Sequence, residues 1–223
     1  MSIFRKKETV TILVVFLLLV GFLATARADE AQQFGQKVQR AYEATPDLSM
    51  DFTQKTYVAI LEREDSKKGS AKFKKPGKFS ISYEGAHGRQ YISNGKTLWI
   101  YEQGDPQVQS IPLSEDTIPA EALSFLGGLG NLKNDFAVEE VDPKKWEQLK
   151  AGKGSLRWLE LTPLQKRSTI QWLIMGFDKE TGLAQEVYIF TDSENISHYL
   201  FSNLRGSTGI ADSLFEFSKV GKK

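Results

Sequence analysis

Ala31, Phe34, Val38, Ala41 and Tyr42 recur at helical spacing with Gln, Lys and Arg between them, which predicts a helix with one apolar stripe that ends before Pro46. From Leu48 the period shortens to two. Leu48, Met50, Phe52, Val58 and Ile60 are expected on one face of a strand and Ser49, Asp51, Thr53 and Lys55 on the other, the pattern of an antiparallel sheet with one wet face. Gly69 is read as restarting a strand at Ala71 and Phe73. Pro76-Gly77 then turns the chain into Phe79, Ile81 and Tyr83, alternating with Ser80, Ser82 and Glu84. Asn94-Gly95 predicts a type I′ hairpin between Gln90–Ile92 and Leu98–Tyr101. On the returning strand Leu98 and Ile100 are as apolar as Trp99 and Tyr101, so the pattern leaves open which pair faces inward.

Beyond Leu113, Asp116 or Thr117 can cap a helix with Pro119 near its first turn, and Ala122, Leu123, Phe125, Leu126 and Leu129 crowd it. Gly127, Gly128 and Gly130 would make that helix weak and easily opened. Asp142-Pro143 begins a third helical turn through Trp146 and Leu149. Strands are expected at Leu156–Leu161, Ile170–Phe177, Glu186–Thr191, His198–Leu204 and Leu214–Phe217, with a turn over 178–182. The sum is an α+β chain with three helices and about eleven strands, a number at which a twisted sheet curls.

Arg5, Lys6 and Lys7 precede an apolar run from Val10 to Leu23, and Ala26-Arg27-Ala28 follows with small residues where a signal peptidase reads them. The alternative is an N-terminal anchor, since the run approaches the roughly 17 residues a spanning helix needs. The signal-peptide grammar favours residues 1–28 as a cleaved signal peptide and 29–223 as one exported domain. Cleavage would remove four basic residues (Arg5, Lys6, Lys7, Arg27) against Glu8, moving the formal net charge from +1 to −2. A near-neutral chain lacks the basic footprint of a nucleic-acid binder. It also has no cysteine, so burial rather than disulfides must hold the fold, and no lipid can be attached through a thiol.

Catalytic chemistry is poorly supported. His87 and His198 are the only histidines and stand far apart without a metal-ligand spacing. Gly127-Gly128-Leu129-Gly130 lacks the Gly-Lys-Ser/Thr of a phosphate loop, and Arg205–Gly209 reads as a polar loop. Neither an enzyme nor a cofactor is expected. The apolar stripes are what any helix-on-sheet core would use, and periodicity alone favours ordinary core over a ligand cavity.

Lys75-Pro76-Gly77-Lys78-Phe79, then Ser93-Asn94-Gly95-Lys96-Thr97-Leu98-Trp99-Ile100-Tyr101, then a short loop ending in Gln107-Val108 resembles the outer-membrane lipoprotein carrier family, the LolA-like periplasmic chaperones. Asp51-Phe52-Thr53-Gln54 extends the likeness upstream. The resemblance implies an incomplete (half) antiparallel β-barrel covered on its concave face by three helices: helix one, Ala120 to Leu129 and Pro143 to Leu149. Lipoprotein acyl chains would bind between, lined by Phe34, Val38, Tyr42, Phe79, Ile81, Tyr83, Tyr91, Leu123, Phe125, Leu126 and Leu129. Lys74 and Lys75 precede Pro76, and the second basic residue of that pair, typically Arg in the family, is implied to latch the lid; here it is Lys75. Ile81 stands where the family commonly has an aromatic residue. The implied partners are an inner-membrane ATP-driven releasing complex and an outer-membrane receptor, with the chain a periplasmic monomer. A lipid-sensing or regulatory periplasmic module on the same fold is the alternative.

Overall fold

The computed structural model describes residues 30–114, 132–141, 156–165 and 169–217. Helix α1 spans residues 30–44. Six strands follow as a meander: β1 (Asp47–Val58), β2 (Arg63–Lys74), β3 (Lys78–Tyr83), β4 (Arg89–Asn94), β5 (Thr97–Glu102) and β6 (Val108–Pro112). A single helical turn, α2 (Leu132–Asp135), leads to β7 (Phe136–Glu140), β8 (Leu156–Pro163), β9 (Ile170–Asp178), β10 (Ala184–Thr191) and β11 (Ile196–Gly206). All eleven strands form one antiparallel sheet in the order β6-β5-β4-β3-β2-β1-β11-β10-β9-β8-β7. The two meanders are therefore joined where the first strand meets the last. β6 and β7 stand at opposite ends and do not pair with each other, so the sheet is open and does not close into a barrel.

The inner face buries Met50 and Phe52 of β1, Phe79 and Ile81 of β3, and Met175 and Phe177 of β9 under the Phe34–Tyr42 stripe of α1. This is the core the period-two and helical patterns predict. β5 is resolved by register: Ser93 pairs with Leu98 and Tyr91 with Ile100, which puts Leu98 and Ile100 inside. Trp99 and Tyr101 face out, where the ring of Phe217 stacks 6.3 Å from Trp99 and meets Tyr101 edge-on at 5.2 Å.

Several expectations are corrected. Of the three expected helices, α1 is present over its expected length, while Ala120–Leu129 and Pro143–Leu149 lie outside the described residues. Ile60 does not share the buried face of β1, because the chain leaves the sheet in a 3-10 turn at Ala59–Leu61 and Ile60 is 90% exposed. β2 runs unbroken through Gly69, so the glycine does not restart a strand. The Asn94-Gly95 hairpin forms, but the turn is not type I′: Gly95 takes φ +90° and Asn94 has no positive φ. Instead Asn94 Oδ1 accepts from the backbone N–H groups of Lys96 and Thr97, both at 3.0 Å. Leu214–Phe217 is no strand, since Asp212–Phe215 coils into a 3-10 turn that buries Phe215.

Nor is the outer face uniformly wet. Ile174 and Val141 are buried there among Trp158, Trp172, Tyr188 and Phe190. Gly176 makes room for this layer, because a Cβ at that position would lie 2.9 Å from the Trp158 ring.

Candidate functional site: the helix-covered inner face

Helix α1 is held at its C-terminal end by groups that are distant in sequence. Lys75 Nζ donates to the carbonyl oxygen of Tyr42 and, at 3.1 Å, to that of Glu43. These are acceptors of the last helical turn that find no partner within the helix, and a cation there also complements the helix dipole. The Lys75-Pro76 peptide is cis. Partial burial lowers the Lys75 pKa and the nearby Glu43 carboxylate raises it, the net direction being down. The Tyr42 hydroxyl accepts from the backbone N–H of Ala184 at 3.1 Å, and burial pushes its pKa well up, so it remains a neutral phenol. Lys37 Nζ reaches Lys179 O at 2.5 Å, and Gly182 at φ +72° lets the β9–β10 turn approach Ala41.

Five of the expected lining residues, Phe34, Val38, Tyr42, Phe79 and Ile81, are fully or nearly buried in one core cluster. Phe34 meets Phe177 edge-on at 6.3 Å, and the Arg157 guanidinium lies 4.9 Å from the Phe34 ring. Tyr83 and Tyr91 are partly buried against the same cluster, 6.4 Å apart. Tyr83 is tied down, its hydroxyl donating to Gln54 Oε1 at 2.8 Å and its ring packing edge-on to Phe52 at 5.2 Å. Around Met50, Phe52, Phe73, Ile81, Tyr199 and Phe201 only about 10 Å³ stays empty, no more than one water's worth. Beneath α1 the inner face is thus packed by the chain's own side chains. Leu123, Phe125, Leu126 and Leu129 lie outside the described residues.

The larger space lies beside α1 rather than under its stripe. A cavity of about 650 Å³ runs between the helix and edge strand β7, within the roughly 300–1,000 Å³ of pockets that enclose small ligands. Gly35, Leu132, Phe136, Val138 and Leu164 give it an apolar wall, and Gln36, Gln39 and Arg40 a polar one. Gly35 sits close against this wall: a Cβ there would stand 3.4 Å from Val138 Cγ1, at the edge of ordinary van der Waals contact. Gln39 Oε1 accepts from the Leu132 N–H at 2.9 Å and fixes α2 against α1. None of these residues was singled out by periodicity, because Gly35 and the glutamines lie on the polar side of the helical stripe. The available signal was β7 itself, a short run of Phe136, Ala137 and Val138 ahead of two glutamates.

Elsewhere the candidates for chemistry have structural partners. His198 Nε2 is 2.7 Å from Glu186 Oε1, and its ring stacks on Tyr188 with centroids 4.0 Å apart. Among the described residues no three metal-ligating side chains converge. The Arg205–Gly209 loop is gathered by Asp47, whose carboxylate accepts from Thr208 N–H (2.7 Å), Thr208 Oγ1 (2.9 Å) and Gly209 N–H (3.0 Å).

An open antiparallel sheet with one long helix fastened across its inner face, and a cavity along one edge, defines the class of half-barrel proteins. Within that class the family is settled by sequence: the model of the outer membrane lipoprotein carrier protein LolA matches residues 43–218, well over half of the chain, and the chain belongs to that family. The Outer-membrane lipoprotein carrier protein of Nitrosomonas europaea is 23% identical over 208 residues, covering 93% of this chain and 94% of its own. That of Chromobacterium violaceum is 26% identical over 199 residues, covering 89% and 87%. An uncharacterized conserved protein from Thermus thermophilus shares the fold with a TM-score of 0.52 at 10% identity, over 86% of this chain and 96% of that one.

Proposed function

We propose that the chain, after removal of residues 1–28, is a periplasmic carrier that binds lipoprotein acyl chains. It would accept them from an inner-membrane ATP-driven releasing complex and pass them to an outer-membrane receptor. The observation that carries this reading is the cavity of about 650 Å³ between α1 and β7 in a member of this family. On this reading Leu123, Phe125, Leu126 and Leu129 would also bind acyl chains. Lys75 would act as the latch that sets how readily α1 lifts from the packed face beneath, where Phe34, Val38 and Ile81 become additional lining.

The energetics explain why such a cover must be movable. Exposing a sixteen-carbon chain to water costs roughly 12 kcal/mol at about 0.8 kcal/mol per methylene. Two such chains in a perfect hydrocarbon site already exceed the practical ceiling of about 18–21 kcal/mol for non-covalent affinity. Lifting α1 from the packed face beside the cavity, to admit more of a chain than the cavity holds, returns part of that gain, and release becomes feasible.

The test is uptake of a fluorescent lipopeptide by the purified protein in detergent-free solution, compared with Val138→Trp, which fills the cavity from the edge strand. Saturable uptake by the wild type, weakened about tenfold or more in the variant with little change in melting temperature, is expected. A wild type that takes up no lipopeptide defeats the reading.

A further inference from the structure

One rim of the sheet is apolar in a way the fold does not require. The rim carries the β1–β2, β3–β4, β5–β6, β8–β9 and β10–β11 turns, and its apolar part lies at the β1–β2 and β8–β9 turns. Among the described residues six large hydrophobics are exposed, and the three most exposed, Ile60 (90%), Leu61 (60%) and Leu164 (57%), lie on this rim with Tyr57 (41%), while Leu214 and Leu200 lie elsewhere. Ile60 and Leu61 form the tip of the β1–β2 hairpin and are held out firmly. The Ala59 N–H donates to Asn195 Oδ1 at 2.9 Å from the neighbouring β10–β11 turn, and the Glu62 N–H closes the tip onto Ala59 O at 3.1 Å. Below the tip Arg63 pairs with Asp65 at 2.9 Å and Lys55 with Glu64 at 3.4 Å, while the exposed Glu62, Asp192 and Glu194 beside it leave the surroundings net acidic. Leu164 also lines the cavity beside α1.

We infer that this rim docks on a lipid bilayer, with Ile60 and Leu61 entering the boundary between headgroups and acyl chains and Tyr57 and Leu164 resting at the surface. A protruding two-residue tip offers a protein partner far less than the roughly 800 Å² per side that a stable complex buries. A bilayer needs no matching surface: a few apolar side chains give weak, reversible attachment, and Tyr suits the interface because its ring is apolar and its hydroxyl wet. The acidic surroundings offer nothing to anionic lipid, so attachment rests on the apolar side chains alone. The purpose of docking, bringing the cavity to lipid, rests on the carrier reading; the docking itself does not.

The experiment is flotation of the purified protein with vesicles of uncharged phosphatidylcholine, alongside the Ile60→Ser/Leu61→Ser pair and an Ile60→Trp reporter with brominated acyl chains. The wild type is expected to float and to remain bound at high salt, and the serine pair to bind about tenfold or more weakly. The reporter's emission should shift to the blue and be quenched by bromine. Urea midpoints of the variants should match the wild type, since the tip is outside the core. A wild type that stays off vesicles, or an Ile60→Trp reporter left unquenched, overturns the proposal. So does a dimer in sedimentation that the serine pair abolishes, because the tip's occupant is then a second copy. Lipopeptide uptake without vesicles separates the two readings: the serine pair should retain it, and its absence in the wild type defeats the carrier reading while leaving docking intact.

Discussion

The ring of Phe52 occupies the space that a side chain on Gly69 would need: a Cβ built there would lie 2.5 Å from Phe52 Cζ and 2.3 Å from Ser82 O. The two residues face each other across β1 and β2. Gly69→Ala should therefore destabilise the protein by about 1–3 kcal/mol or more, read as a lowered urea midpoint. Adding Phe52→Leu should recover part of the loss but not all of it, since the Ser82 carbonyl remains in place. Full stability in Gly69→Ala alone would show that the strands separate more easily than this contact implies.

Lys75→Leu removes the donor from the last-turn carbonyls of Tyr42 and Glu43, a charge-assisted bond worth about 1.5–3 kcal/mol. Hydrogen exchange in the last turn of α1 should accelerate. On the carrier reading, lipopeptide uptake should be retained or increased while transfer to acceptor membranes bearing the receptor falls, because the helix no longer closes behind departing chains. Lys75→Arg restores a permanent charge with more donors and should shift both readouts the other way. Unchanged exchange, uptake and transfer in Lys75→Leu would leave Lys75 as a helix cap without a gating role.

Burial raises the Asp47 pKa, but the hydrogen bonds from Thr208 and Gly209 outweigh it and the net shift is downward. A carboxylate with a depressed folded pKa contributes stability that is fully present above its unfolded value near 3.9 and is lost as pH falls through the folded value. Wild type should thus lose stability on acidification below about pH 4, whereas Asp47→Asn, which costs about 1.5–3 kcal/mol at pH 7, should show a smaller loss. Urea titrations of both proteins at pH 7 and pH 3 check this; parallel losses would assign the acid sensitivity to other carboxylates.

Legibility in the sequence followed how differently the two faces of a strand were populated. β1 and β3 alternate Leu, Met, Phe or Ile with Ser and Asp, and their inner faces were readable at once. β5 and β9 are apolar on both sides, because Phe217 covers the outside of Trp99 and Tyr101 and an aromatic layer covers Ile174, so period two carried no signal there. Lys75 could be found from its motif, though not its partners, which depend on where helix α1 ends in space. The cavity was the least legible feature, since it arises where the polar side of α1 meets a five-residue edge strand about a hundred positions further along.

The pairing of β1 with β11 also sets an order of assembly. The first six strands can form by local hairpins, but β1 waits for a partner drawn from the end of the chain, and such distant closure is the slow, entropy-limited part of folding. The anchors of α1 at Lys179, Gly182 and Ala184 belong to the same late half. A nascent or truncated chain lacking β9–β11 therefore holds a greasy helix that keeps Lys75 and the Gln39–Leu132 contact but has lost its other anchors and part of its floor, a natural substrate for proteases and holding chaperones until the last strand arrives.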